Sequence, residues 1–211
     1  MYELESTLSG HSISVRSVSV FADGKRVVSE SLDGTVKIWD LESGVELSTI
    51  FGELLVWRPM AVAAFPDGKR VMSGSTDGTI KIWATESGAE LCTLSGDSHW
   101  PCAVAVSKNA RKIVLGSYDE ENDGNVKIWE EESQLPYKCP IKPLYIMGHG
   151  SWVNAVAMSG DGRKVVSGGV DGLVKIWEMI IKYVPTKRVH ELLMKTILNE
   201  DVIKYIMKFA V

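Results

Sequence analysis

Four strings decide the fold: DGTVKIWD at 33–40, DGTIKIWA at 77–84, DGNVKIWE at 123–130 and DGLVKIWE at 171–178. Their tryptophans, Trp39, Trp83, Trp129 and Trp177, recur at intervals of 44, 46 and 48 residues. A near-constant period of this length marks an array of structural repeats. Working outward, each string is preceded by a second one: DGKRVVSES (23–31), DGKRVMSGS (67–75), NARKIVLGS (109–117) and DGRKVVSGG (161–169). A third lies before that: RSVSVF (16–21), MAVAAF (60–65), CAVAV (102–106) and NAVAM (154–158). A fourth precedes it: ELESTLSGH (3–11), VELSTIFGE (45–53), AELCTLSGD (89–97) and IKPLYIMGHG (141–150).

Each unit thus holds four apolar runs too short for helices, and Val, Ile, Ala and Leu dominate them. Asp-Gly pairs separate the runs at 23–24, 67–68 and 161–162, and again at 33–34, 77–78, 123–124 and 171–172. Asp-Gly accepts positive φ in a tight hairpin, so each pair predicts a two-residue turn. The unit is a four-stranded antiparallel meander. Both of its faces are apolar, so it is soluble only when neighbouring sheets cover it, as they do when sheets are stacked around an axis.

At this point the chain resembles the WD-repeat β-propellers, whose signature is an upstream Gly-His and a Trp-Asp closing the third strand. Gly10-His11 with Trp39-Asp40 matches fully; Gly148-His149 with Trp177-Glu178 ends conservatively. The middle copies depart, with Gly52-Glu53 and Gly96-Asp97 for Gly-His, and Trp83-Ala84 and Trp129-Glu130 for Trp-Asp. The resemblance covers roughly residues 3–178 and implies an all-β fold: four propeller blades of four antiparallel strands, partial or completed in a dimer. The blades are expected at about 10–52, 53–96, 97–147 and 148–180 within a domain spanning 1–180. The strand at 3–8 pairs elsewhere, and the family closes its ring by letting such an N-terminal strand complete the last sheet.

The resemblance also implies a structural tetrad in each blade. The Trp donates to a Ser or Thr of the second strand, that hydroxyl bonds the His, and the His bonds the turn Asp. The first set is Trp39, Ser29, His11 and Asp33, with Ser31 an alternative to Ser29; the fourth is Trp177, Ser167, His149 and Asp171. Copy two keeps Trp83, Ser73 and Asp77 without the His. Copy three keeps Trp129 and Asp123, has Leu115 at the Ser position and only an off-register His99. A Ser–His–Asp trio invites a hydrolase reading. Recurrence in two copies, the link to a tryptophan and the absence of a GxSxG elbow argue against it.

Composition narrows the function. The chain has 211 residues, 45% of them apolar and 24% charged, an ordinary globular balance. Lys and Arg number 23 against 27 Asp and Glu, a net −4, which disfavours a generic nucleic-acid grip. Residues 182–211 carry six basic and three acidic side chains, unlike the acidic remainder. Cys92, Cys102 and Cys139 form no CxxC pair, so reduced, buried thiols are expected rather than a disulfide framework or a zinc site. The N-terminus lacks signal-peptide character and no run approaches a membrane span. A cytoplasmic or nuclear protein without membrane contact or cofactor is expected.

In this family the loops before the first strand and between the second and third share one face. Trp100 and Trp152 occupy matching positions there, and Trp57 falls one residue away. Arg16, Met60, Cys102 and Asn154 form the next matching set. An insertion, Asp119-Glu120-Glu121-Asn122, places negative charge beside Trp100, which suits a basic peptide or lysine side chain. Asp119, Glu121, Asp123, Gly124, Val126 and Glu130 mimic an EF-hand spacing. The repeat already explains half of that match and Lys127 opposes an ion, so no metal is expected.

The last thirty residues differ. Val189, Leu192, Leu193, Ile197, Val202, Ile203, Ile206, Met207 and Ala210 recur at three- and four-residue steps, which predicts amphipathic helices over 181–211. Such helices are expected to lie against the sheets or to shield an open edge; alternatively they dock on a partner, since LNEDVIKYIMKF (198–209) faintly resembles the opening of an F-box, the helical module that docks on Skp-type adaptors.

The first reading is therefore a non-enzymatic protein–protein interaction scaffold, binding a protein or peptide on the face that carries Trp57, Trp100 and Trp152. The alternative is the substrate receptor of a ubiquitin-ligase complex, with the C-terminal helices docking an adaptor. Four units leave three outcomes: a homodimer that pools blades, an open arc or, less favoured, a ring closed within one chain.

Overall fold

The computed structural model describes residues 4–51, 59–95, 100–118, 124–130 and 143–179. Fifteen strands occur among them and no helix. The first sheet runs β1 (Val15–Val20), β2 (Arg26–Ser31), β3 (Thr35–Asp40), β4 (Glu46–Phe51), each antiparallel to the next. The second repeats that order with β5 (Pro59–Ala64), β6 (Arg70–Ser75), β7 (Thr79–Ala84) and β8 (Glu90–Ser95). The third comprises β9 (Trp100–Val106), β10 (Lys112–Tyr118), β11 (Asn125–Glu130) and β12 (Tyr145–Gly148). The fourth has three strands, β13 (Val153–Met158), β14 (Lys164–Gly169) and β15 (Val174–Glu178). These are four blade-like sheets, as expected, the fourth with three strands among the described residues instead of four.

The turns follow the Asp-Gly signal. Gly24, Gly34, Gly68, Gly78, Gly124, Gly162 and Gly172 all have positive φ. Copy three has Asn109-Ala110 at the first of these turns, and Ala110 takes φ 58° there, a conformation that suits glycine.

Strand alternation gives every blade two faces, and each seam joins one face of a blade to the opposite face of the next. At the first seam Phe21, Val28, Val36, Ile38 and Ile50 pack on Val62, Val71 and Trp83. At the second, Met72, Ile80, Ile82 and Leu94 pack on Ile113, Leu115 and Trp129. At the third, Val114 and Val126 pack on Val153 and Val165. The inner strands adjoin in order, β1 with β5, β5 with β9 and β9 with β13. Gly116 shows how tight this is: a Cβ there would lie 2.5 Å from Val153 Cγ1.

Cations lace the seams at their lower turns. Arg26 lies over the Phe21 ring and donates from Nη2 to the Gly68 carbonyl at 3.0 Å. Lys112 donates to the Gly162 carbonyl at 3.1 Å. Each residue sits at the same repeat position, so the sequence period recurs as a period of contacts.

Two expectations are corrected. Residues 4–8, expected as a strand, form none; Leu8 lies against Gly44 and the loop at Gly10 against Trp39, both in blade one. A strand exists only where a neighbouring edge supplies hydrogen bonds, and among the described strands none pairs with this segment. The three thiols are not all reduced: Cys92 is disulfide-bonded, whereas Cys102 is free. The chain divides into two units, Met1–Glu178 and Met179–Val211. The helices expected over 181–211, with the F-box-like string, lie outside the described residues.

Candidate functional site

The repeat tryptophan anchors a polar chain in the first blade. Trp39 Nε1 donates to Ser29 Oγ at 2.8 Å. Ser29 Oγ lies 2.7 Å from His11 Nε2, and His11 Nδ1 lies 3.2 Å from Asp33 Oδ2 and 3.0 Å from Thr35 Oγ1. Burial works against the charge of Asp33. Hydrogen bonds from the Thr35 hydroxyl, the Ser12 and Thr35 amides and His11 outweigh it and hold the carboxyl at about 2. Ser31 is not the tetrad member; it donates to the Ile13 carbonyl and pins the entering loop.

In the fourth blade Trp177 donates to Ser167 at 2.9 Å, and Ser167 lies 2.8 Å from His149 Nδ1. His149 is fully buried, with Nε2 3.5 Å from Asp171. Leu173 replaces Thr35 here, so Asp171 gains the Leu173 amide but no hydroxyl. That amide comes first among the groups that hold the Asp171 carboxyl below its ordinary range. In copy two Trp83 donates to Ser73 at 2.8 Å, while Asp77 accepts from the Thr79 amide and hydroxyl within its own turn. In copy three Trp129 is fully buried and its Nε1 has no acceptor, because Leu115 stands where the others have serine. Asp123 and His99 lie outside the described residues.

These polar sets lie between strands, tied to indoles and turns. What they do chemically is brace the loop that enters each blade against the second hairpin. The exposed chemistry is elsewhere. Trp100 opens β9 and Tyr118, which pairs with it, closes β10; Trp152 immediately precedes β13. Their rings converge: Trp100 and Trp152 meet edge to face at 6.3 Å, and Tyr118 lies 4.2 Å from Trp152 and 5.9 Å from Trp100. Trp100 and Trp152 remain 46% and 42% exposed, so the cluster is open to solvent.

Tyr118 was not legible as a candidate. Its signal is an aromatic residue directly after the GS of the second-strand string, where the other copies have Leu32, Thr76 and Val170. Trp57 and the acidic Asp119, Glu120 and Glu121 lie outside the described residues.

The matching set Arg16, Met60, Cys102 and Asn154 acquires a geometric meaning. The register slips by one residue between Val15 and Ser17, Pro59 and Ala61, and Val153 and Ala155, and likewise opposite Gly116 and Ser117. Each of the four is therefore the extra residue of a β-bulge at the start of an inner strand. A bulge re-aims its side chain out of the pleat. Arg16 and Asn154 are exposed, and Met60 and Cys102 are half-buried.

Among the described residues one buried carboxyl has no hydrogen bond. Glu30 is fully buried and neither carboxylate oxygen has a hydrogen bond. Burial pushes its pKa well above the ordinary carboxylate range, with Arg16 pulling the other way. The other copies carry Gly74, Gly116 and Gly168 at this position.

The comparisons agree with this geometry. The family model for the WD domain, G-beta repeat, matches residues 2–40, 56–84 and 141–178, half of the chain. It passes over the third blade, the copy without the serine. The chain is 36% identical over 178 residues to the small ribosomal subunit protein RACK1y of Oryza sativa subsp. japonica, covering 82% of this chain and 50% of that protein. It is also 36% identical over 173 residues to MST50-interacting protein 11 of Pyricularia oryzae, covering 82% and 52%. It spans about half the length of these curated relatives. The computationally designed Ika4 protein superposes with a TM-score of 0.66 at 32% identity, over 85% of this chain and all of that one. Four tryptophan-centred meanders, three seams built alike and these matches have one meaning: the chain belongs to the WD-repeat β-propeller family.

Proposed function

We propose that this chain is a non-enzymatic interaction scaffold of the cytoplasm or nucleus, which holds a partner's peptide segment on the face carrying Trp100, Tyr118 and Trp152. The observation that carries the reading is the solvent-open convergence of these three rings across the third seam. Aromatic side chains dominate interface hot spots because they bury large area with few rotatable bonds. Arg16, Met60, Cys102 and Asn154 extend the same face along the bulges.

The partner segment is basic. An ammonium or guanidinium over an exposed ring gains about 0.5–2 kcal/mol, and the acidic string 119–121 adjoins this rim in sequence. The Ser–His–Asp sets are braces rather than a hydrolase. His11 and His149 each sit beside a serine that already accepts an indole N–H.

The test is a fluorescence titration with an array of Lys- and Arg-rich peptides. Binding perturbs tryptophan emission and is lost in the Trp152→Ala variant, whose far-ultraviolet dichroism is unchanged. Undiminished affinity in that variant would overturn the reading.

A further inference from the structure

The two ends of the blade series expose faces of the kind that every seam buries. On blade one, Val18, Val27 and Trp39 occupy the repeat positions of Val62, Val71 and Trp83. Val62, Val71 and Trp83 are buried at the first seam; at the matching positions Val18 is 63% exposed with Val20 beside it equally open, Val27 is half-buried, and Trp39 is buried against the loop at Gly10. On blade four, Val166, Val174 and Ile176 occupy the positions of Val28, Val36 and Ile38. The first-blade residues are buried, but Val174 and Ile176 are 71% and 69% exposed.

The polar lacing is unfinished at the same two ends. Arg26 and Lys112 each reach the glycine carbonyl of the next blade's first turn. The corresponding blade-four cation, Lys164, is exposed, with Glu178 Oε1 4.0 Å away. The corresponding acceptor turn on blade one is Gly24, and nothing lies within 4 Å of a Cβ built there. Gly168 repeats the contrast: a Cβ at Gly74 or Gly116 strikes the next inner strand, and one at Gly168 meets nothing within 4 Å. Among the described residues the cation, its acceptor turn, the apolar ridge and the close-approach glycine thus each meet no neighbouring blade at one end, and the blade-one set is the complement of the blade-four set.

We propose that the chain pairs head to tail with a second copy of itself, the open face of blade four in each copy covering the open face of blade one in the other. Two such seams, related by a two-fold axis, complete a ring of eight blades, within the range that propellers use. The seams are the same interface already built three times within the chain. A repeat array encodes one neighbour contact, and that contact does not distinguish a neighbour in the same chain from one in another.

Among the described residues no strand pairs with the outer edge of β15, and that edge belongs to the same arrangement. Leu8 aligns with Ile50 and Leu94, which pair with Val36 and Ile80. Residues 4–8 are exposed apart from the half-buried Leu8 and precede blade one. In the dimer they lie beside the other copy's β15, with Leu8 opposite Val174 of that copy as a fourth strand.

Light scattering on the 211-residue chain, with Val18→Asp and Ile176→Asp variants, tests this. Both substitutions fall on exposed side chains, and dichroism checks that the fold is kept. The expected wild-type mass is twice the 23.2 kDa of one chain, and each variant falls to the mass of one chain because each spoils one side of both seams. A wild-type monomer would overturn the proposal, as would a mass that climbs past two chains. So would a dimer that resists either substitution, since a symmetric face-to-face contact depends on only one of the two faces.

Discussion

Tyr118 packs on Trp152 with ring centroids 4.2 Å apart and planes tilted by 40°. One residue ends the second strand of blade three, and the other leads into the first strand of blade four. The contact therefore locks a seam and builds the proposed recognition face with the same atoms. Tyr118→Ala should weaken basic-peptide binding several-fold, on the scale of an interface aromatic. Tyr118→Phe, which keeps the ring, should restore most of it. Peptide titration followed by fluorescence reads both.

The four repeat tryptophans should not be equivalent to replacement by phenylalanine. Trp83→Phe removes a donor from Ser73 and leaves that buried hydroxyl unpaired. Trp129→Phe removes an N–H that has no acceptor. Trp83→Phe should therefore cost more, by about 1–3 kcal/mol, in urea unfolding.

Acid should act through Asp33. Its folded value of about 2 lies below the ordinary 3.8, so the native state binds fewer protons than the unfolded state between the two. The stabilisation is complete above the unfolded value and is lost as pH falls through about 2. Solvent screening trims the contribution of a carboxylate near the surface. Asp33→Asn should lower stability by about 1 kcal/mol at neutral pH and flatten the acid limb of melting temperature against pH.

Glu30 should act in the opposite sense. Its folded pKa is raised, so the native state binds more protons than the unfolded one. Stability is then lost as pH rises from the unfolded value through the folded one. Glu30→Gln removes the buried charge, and should match the wild type near pH 4 and exceed it by about 1–3 kcal/mol at pH 7. Equal melting curves at both pH values would contradict this.

Ala110 holds a left-handed conformation at the turn where other copies have glycine. Ala110→Gly should raise stability by about 1 kcal/mol, because the steric penalty of a Cβ at that φ is relieved. Thermal unfolding measures it.

Much of this was legible because the repeat is written four times. Asp-Gly spacing, string length and the IW positions determine meanders and turns locally, within one or two residues, and a misjudged copy is corrected by the others. The tetrad members share that legibility, since their positions recur. Tyr118 and Glu30 do not recur. Each is a single departure from the repeat, and a pattern found by recurrence passes over what occurs once.

By itself the sequence determined the four sheets, their strand order and the residues each sheet turns to either face, since hairpins and alternation depend only on neighbours along the chain. Only the tertiary structure decided that Arg16, Met60, Cys102 and Asn154 are bulge residues, that three aromatic rings converge across one seam, and that Val18 on blade one and Val174 and Ile176 on blade four are exposed. The bulges depend on the register that each inner strand takes against its neighbour, as where Val15 faces Ser31, and the ring cluster and end faces on which blades meet, as where Trp100 meets Trp152. Such meetings are governed by packing in three dimensions, which no local pattern encodes.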